Sequence, residues 1–394
     1  MLPNPDLMRG CYFSGAALHT SLGVNLAANL DALQHAPTVP GQAIAHYADQ
    51  QQPLPYKLLA DRPLQALATR LDTVLDKVIE DAFAASELSP VERRRTGVFL
   101  GSSSFDICAT EDHYRQALLH DPQALAMANS SSLGNLAASI RKRFDLRGPD
   151  YSFNTACTAS ANALVYADAM ICNGQLDHAL VLGVETYNSI TALGFNGLQL
   201  LTPTTMRPFS PERNGLVLGE GCSALILSHR AHRQDAFRLI ASGNLCDTYG
   251  MSAANPDGST VALVIEQALQ RAKLKPQDIA AIKTHGTASL SNDEAEAAGM
   301  RRVFARMPPL TALKPWLGHT LGACGLNELL LFCAAAEQGF LIATPGIGTG
   351  DERLGVTLNQ QRRALPHGHY MLNYFGFGGN NTSLIVSNLP ERAR

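Results

Sequence analysis

One cysteine, two histidines and a lysine stand out because each lies where an apolar segment ends. Cys157 sits in YSFNTACTASANALVYADAMICNG, Tyr151–Gly174. That stretch reads as a short buried strand, a tight turn through Asn154, Thr155 and Ala156, the cysteine, and a helix of small residues that Gly174 ends. A thiol at a helix N-terminus lies among unpaired N–H groups and at the positive end of the helix dipole. Both favour the thiolate, which is the nucleophile. A buried structural cysteine fits the same stretch, since free cysteine is among the most buried residue types. Partners elsewhere in the chain must decide between the two.

His285 opens HGTASLSNDEAE at the end of an apolar run, Ile279–Thr284. A histidine there is either satisfied by a loop carbonyl or placed for chemistry. His319 lies in KPWLGHTLGACG, between Gly318 and Gly322, at the start of a long apolar helix. The helix dipole lowers the pKa of such a ring, and the neutral ring can offer an N–H to a developing oxyanion. Lys314, five residues earlier, is either a surface lysine or part of a charge network around that histidine. The loop NYFGFGGNN, Asn373–Asn381, is glycine-rich between two apolar strands and can bring backbone N–H groups close to a ligand. One cysteine and two histidines, each at the end of its own buried strand, plus this loop, resemble a thiol acyl-transfer site. Other signals carry less. Gly346–Asp351 reads as a loop tip, and His367 and His369 have no third ligand nearby, so no metal site is expected. Arg93–Arg95 and Arg141–Arg143 read as solvated helix faces.

The elements that must position these residues follow from the rest of the 394-residue chain, long enough for two domains or two fused halves. Strands are expected at Cys11–Ala17, Gly97–Gly101, His178–Val184, Gly219–Ser228, Phe237–Leu245, Ile279–Thr284, Tyr370–Tyr374 and Thr382–Ser387. Helices are expected at Leu22–Leu33, Leu64–Ala85, Leu133–Phe144, Val261–Lys273, Asp293–Phe304 and Leu321–Gln338. Residues 36–62, rich in Pro, Gln and His, read as an irregular excursion. The alternation predicts parallel sheets covered on both faces, in a duplicated α/β unit with a join near His229–Asp235. The halves are then 1–230, carrying the cysteine, and 231–394, carrying both histidines. With 16% charged residues and a net charge of −3, nothing draws the chain toward nucleic acid or a membrane surface. No apolar run reaches the ~18 residues of a membrane span, and MLPNPDLMRG lacks a signal-peptide pattern. Eight scattered cysteines without a C-x-x-C pair suggest a reducing, cytoplasmic setting.

TACTAS around Cys157, HGTASLSND from His285, KPWLGHTLGACG from Lys314 and FGFGGNN from Phe375 resemble the signature blocks of the β-ketoacyl-acyl carrier protein synthases. MRPFSPERNGLVLGEG, Met206–Gly221, and LRGP, Leu146–Pro149, resemble two more. Two histidines, rather than a histidine and an asparagine, are similar to the elongating branch of that family. The resemblance implies the thiolase fold, an α/β duplication in five layers, α-β-α-β-α. It also implies roles. Cys157 would take an acyl chain from an acyl carrier protein as a thioester, with the N–H groups of Cys157 and Phe377 as oxyanion hole and Phe377 as gate. His285 and His319 would bind the malonyl thioester carbonyl and promote loss of CO₂, supported by Lys314 and Glu296. Thr287, Ser289, Phe375 and Gly378 would line the substrate path. No resident cofactor is implied, since the carrier brings its own phosphopantetheine arm. The expected partners are the carrier and a second copy or a related ketosynthase subunit. Departures are the Thr287-Ala288-Ser289-Leu290 run, without its usual proline, and Pro315-Trp316 after Lys314, where a bulky ring would narrow a channel or fill an interface. Two rivals remain open at this point. One is a non-condensing partner resembling a chain-length factor. The other is a degradative thiolase, which requires a second acid/base cysteine late in the chain.

Overall fold

Strand Gly97–Gly101 is buried at every position because both its faces are covered. Val98 and Leu100 join a cluster with Val74, Leu75, Val78 and Ile79 of helix Leu67–Ala85. Phe99 joins another, with Leu164, Ala167 and Ile171 of helix Ala159–Cys172. The same alternation runs through the second half. Tyr370 and Leu372 of strand His369–Phe375 face inward, with Leu329 and Phe332 of helix Cys324–Glu337, while Met371 faces outward with Ile265, Ala268 and Met300. Period-two strands between two apolar helix faces give helix, sheet, helix, sheet, helix, the five layers expected. This computed structural model describes residues 10–35, 40–47, 50–60, 67–120, 135–231, 233–234 and 236–390.

Each half builds one five-stranded sheet. The first runs, edge to edge, Tyr12–Thr20, Gly221–Ser228, His178–Glu185, Gly97–Gly101, Asp150–Phe153. The second runs Arg238–Cys246, Asn380–Ser387, His369–Phe375, Ile279–Lys283, Leu310–Thr311. Numbered by chain order within its half, each sheet reads 1-5-4-2-3, with the same pairings. Strand 2 is parallel to 3 and 4, and strand 5 is antiparallel to 4 and 1. The expectation of parallel sheets is therefore corrected to mixed ones. In the second sheet the cause is local: residues 376–379 turn the chain straight back, so the last two strands pair as a hairpin.

The middle layer holds the two helices that follow strand 3 of each half, Ala159–Cys172 and Cys324–Glu337. They meet where a Cβ on Gly325 would lie 2.4 Å from the Ala161 nitrogen, so only glycine allows the approach. The Leu326 N–H donates to Ser160 Oγ at 3.0 Å at the same crossing. This contact sets the two helix entrances side by side, each a 3₁₀ turn, Ala156–Thr158 and Leu321–Ala323.

Several boundaries moved. The Pro/Gln-rich stretch is not irregular: Gly41–Tyr47 and Gln50–Lys57 pair antiparallel, and Tyr56 and Lys57 pair in parallel with Leu218 and Gly219. Ala43, Ala45, Leu54 and Tyr56 are buried while Gln50–Gln52 are exposed, a half-buried ribbon whose polar face hid it. Residues 36–39, 48–49 and 61–66 lie outside the described residues, as do 133–134 at the start of the helix seen at Asn135–Arg143, and 232 and 235 of the suspected join. Helices Ile107–His120 and Ser189–Gly197 were not anticipated. Among the described residues no helix is long and apolar enough to cross a membrane.

Candidate active site

The chain leaves strand Asp150–Phe153 and reaches Cys157 through Ala156, whose φ of +50° lies in the left-handed region. A non-glycine residue there costs on the order of 1–3 kcal/mol and must be held by its surroundings. Leu321, φ +42°, occupies the matching place in the second half. The turn leaves Cys157 buried, with three groups on its sulfur. The backbone N–H groups of Phe377 and of Cys157 itself favour its anion, and His319 Nε2 stands 3.1 Å away. Gly376 backs this arrangement, since a Cβ there would sit 3.1 Å from the Cys157 nitrogen.

The thiolate expected at a helix N-terminus is corrected. Burial pushes the Cys157 thiol up to about 11, opposed by the Lys314 charge and the Phe377 N–H. A helix dipole contributes only about 0.3–1 kcal/mol, and the α-helix proper begins at Ala159, beyond the 3₁₀ turn. Desolvation of the anion wins. Burial thus favours the thiol over the thiolate at neutral pH. Alkylation of Cys157 by iodoacetamide, followed by peptide mass spectrometry, is expected to rise about tenfold per pH unit from pH 7 through 9 without a plateau.

His285 follows strand Ile279–Lys283, as expected. Its N–H and that of Gly286 donate to the two oxygens of Glu296 at 2.7 and 2.9 Å. The Thr287 N–H donates to Asp293 at 3.1 Å. Glu296 therefore holds the backbone that carries the ring, not the ring itself. Burial raises both carboxyls to about 7. Lys314 is buried, not a surface lysine, and its Nζ reaches three acceptors: the His285 carbonyl at 2.6 Å, Glu328 at 2.8 Å and His285 Nδ1 at 3.3 Å. Burial alone would lower the Lys314 pKa, but Glu328, by its charge and its hydrogen bond, carries it above the usual lysine range. Lys314 is thus an ammonium that donates, so His285 Nδ1 accepts and the ring proton sits on Nε2.

His319 does not end a strand. It follows the short helix Lys314–Leu317 and is clamped by the backbone of residues 217–219. Its N–H donates to Val217 O at 2.7 Å, and the Gly219 N–H donates to its carbonyl at 3.0 Å. Its Nδ1 accepts from the Leu321 N–H at 3.3 Å, which again leaves the ring proton on Nε2, facing Cys157. Burial first, then the Lys314 charge, holds both imidazoles well below the usual histidine range. The site therefore presents two neutral imidazoles, each with an N–H on Nε2, beside a buried thiol. The rings lie 5.6 Å apart, nearly perpendicular, and ligand atoms of Cys157, His285 and His319 fall within 4.8 Å of one another. Such a trio has the composition of a metal centre. Its hydrogen bonds run the other way, however: a metal-bound imidazole donates its remaining N–H outward, whereas both rings here accept.

The remaining expected residues surround this centre. Phe375 packs 6.1 Å from the His285 ring. Phe377 stacks on Phe195 at 5.6 Å. Thr287 is buried and its hydroxyl lies 3.1 Å from that of half-buried Ser289, while Gly378 is at the surface. Gly379 permits no side chain, because a Cβ would fall 1.9 Å from the Asp247 carbonyl oxygen. Trp316 is a core residue whose Nε1 donates to Ala343 O at 2.7 Å. Glu328, Lys283 and Glu185 are among the buried charges that the sequence does not single out. Glu328 joins Lys314 to Lys283. Glu185 ties the Ser103 and Gly322 N–H groups, each at 3.0 Å, and the Ser104 hydroxyl into one loop cluster. A charge inside an apolar run, as in IAAIK or CGLNELLL, was the signal available for two of them.

The chain is similar to proteins of one kind. The family model for the β-ketoacyl synthase N-terminal domain matches residues 62–233, and that for the C-terminal domain matches 238–347. A 3-oxoacyl-[acyl-carrier-protein] synthase 2 of Vibrio cholerae is 26% identical over 323 residues, 77% of this chain and 78% of that protein. Among solved structures, a ketosynthase in complex with its chain length factor from Xenorhabdus doucetiae superposes with a TM-score of 0.81 at 26% identity, covering 98% of this chain and 100% of that one. A β-ketoacyl synthase from Burkholderia phymatum gives 0.82 at 26% identity with the same coverage.

Proposed function

From the premise that this chain belongs to the β-ketoacyl synthase family, we propose that it catalyses decarboxylative condensation of an acyl group held on Cys157 with a malonyl group on an acyl carrier protein. The observation that carries this reading is the pair of Nε2–H donors beside the Cys157 sulfur, fixed by Leu321 and Lys314. In the first step the Cys157 sulfur attacks the acyl thioester, the carrier thiol leaves with the proton, and the oxyanion forms against the Cys157 and Phe377 N–H groups. In the second, the malonyl thioester carbonyl sits against His285 and His319. As CO₂ departs, its bonding electrons become the enolate, whose oxygen the two N–H groups stabilise. Charge develops where donors already stand, and no base is required. The enolate carbon then attacks the Cys157 thioester, the C–S bond breaks to give a 3-oxoacyl carrier protein, and the expelled Cys157 thiolate takes one proton from solvent to return the thiol.

Lys314 and Glu296 act as positioning residues for His285. Thr287, Ser289, Phe375 and Gly378 serve the pantetheine path, and Phe377 gates it. The carrier's own arm supplies the only prosthetic group. An acyl carrier protein as partner is supported by the names of the relatives, and pairing with a related subunit by the Xenorhabdus complex. That complex also favours a second reading, a non-condensing partner of an active synthase. A thiolase-like reaction has less support, because Cys324 gives its S–H to the Cys157 carbonyl at 3.0 Å.

The test is acyl transfer to the isolated chain from a series of acyl carriers, with the mass gain mapped to the Cys157 peptide. Labelling without any second subunit is expected; labelling only when one is added favours the second reading. Gly379→Ala, which must displace the Phe377 loop, is expected to slow this transfer by up to roughly 10²-fold, measured in a single turnover.

A further inference from the structure

Lys283 closes the strand that delivers His285, two residues before the ring. It is fully buried. Its Nζ donates to Glu328 Oε2 at 2.6 Å and to the Asn373 carbonyl at 2.8 Å, and lies 3.5 Å from the centroid of the Tyr374 ring. The other oxygen of Glu328 takes Lys314. Two buried ammonium groups thus share one carboxylate, and Lys314 keeps its other two bonds for His285. The next carboxyl, Glu296, is occupied by two backbone N–H groups. A surplus of buried positive charge is costly unless something negative comes to meet it.

We infer that Lys283 is a positioning residue of the condensation: by holding one oxygen of Glu328 it leaves Lys314 directed at His285, and its charge adds to the positive field at the two imidazoles and favours the enolate. This rests on the condensing reading above. The groups facing Lys283 are Glu328 and Cys324 on helix Cys324–Glu337, Lys314 on the preceding helix, and Tyr374 on the adjacent strand, with His285, His319 and Glu296 within its field. Burial brings Lys283 down to about 8 against the pull of Glu328. Its charge is therefore present below that pH and lost above it, and the enolate loses support in the same direction.

The experiment compares the native chain with Lys283→Arg and Lys283→Met from pH 6 to 9.5, reading release of CO₂ from malonyl carrier protein and the ring ¹⁵N shifts of His285 and His319. The native rate is expected to fall above about pH 8, by up to tenfold per unit. Lys283→Arg, whose guanidinium does not titrate, is expected to hold its rate to higher pH. Lys283→Met is expected to be slower at pH 7 and to lose the limb, with its imidazoles protonating about one pH unit higher. A lysine that merely neutralises Glu328 would leave the ring titrations unmoved. The inference is overturned by a flat native profile from pH 7 to 9, by an unchanged limb in Lys283→Arg, or by native ring titration in Lys283→Met. If Lys283→Met does not fold, the native and arginine profiles decide. Absence of turnover in the native chain counts against the condensing reading instead, and the ring titrations, which need no substrate, still decide the role of Lys283.

Discussion

Cys157→Ala is expected to abolish condensation while leaving decarboxylation of the malonyl thioester measurable. The two steps use different atoms. The acyl chain needs the sulfur, and without it there is no thioester for the enolate to attack; the loss is expected to be roughly 10⁴-fold or more. Decarboxylation needs the two Nε2–H donors, and these are set by Leu321 and Lys314, not by the thiol. Alanine removes the sulfur that the His319 Nε2–H faces at 3.1 Å, so that N–H is left free to meet the malonyl thioester carbonyl. The check is to measure CO₂ release and 3-oxoacyl product in one reaction. In the native chain the two should match, and in the variant CO₂ should exceed product by orders of magnitude. His285→Ala is expected to do the reverse. It should leave acyl uptake near native and slow CO₂ release by about 10²–10³-fold, the value of one oxyanion donor.

The largest effect on stability is expected from Glu328→Leu. Glu328 is completely buried and is the carboxylate that both Lys283 and Lys314 contact. Removing it leaves two ammonium groups in the interior, and breaking a buried pair from one side costs about 3–5 kcal/mol. That is a large part of the roughly 5–15 kcal/mol typical of a folded protein. The check is the denaturant midpoint of the purified variant. Adding Lys283→Met to Glu328→Leu is expected to recover part of the loss, because one orphaned charge goes with it. A double variant less stable than Glu328→Leu alone would contradict this.

What the sequence showed depended on whether chemistry was written in neighbouring residues. Cys157, His285, His319 and Lys314 each stand in a run whose composition marks them, and the structure brings all four together. Glu328 and Lys283 carry no such context. Each is one charge in an apolar segment, and only folding shows that they face each other across helix and strand. The doubled rhythm of strands and helices was legible, but strand direction was not: periodicity is the same for parallel and antiparallel neighbours. The ribbon at 41–57 was missed because Gln50–Gln52 and the prolines describe its wet side, while Leu54 and Tyr56 do the packing. The thiolate is the expectation from the helix dipole and the unpaired N–H groups at a helix N-terminus. Burial outweighs both at Cys157, and it depends on segments far apart in the chain: His319 Nε2 stands 3.1 Å from the sulfur and Gly376 packs against the Cys157 backbone.

The most direct measurement is the product formed when the isolated chain meets one acyl carrier protein and one malonyl carrier protein together. The condensing account predicts a 3-oxoacyl chain two carbons longer on the carrier, with one CO₂ for each product. Formation of neither acyl-Cys157 nor extended product unless a second synthase subunit is supplied would contradict it.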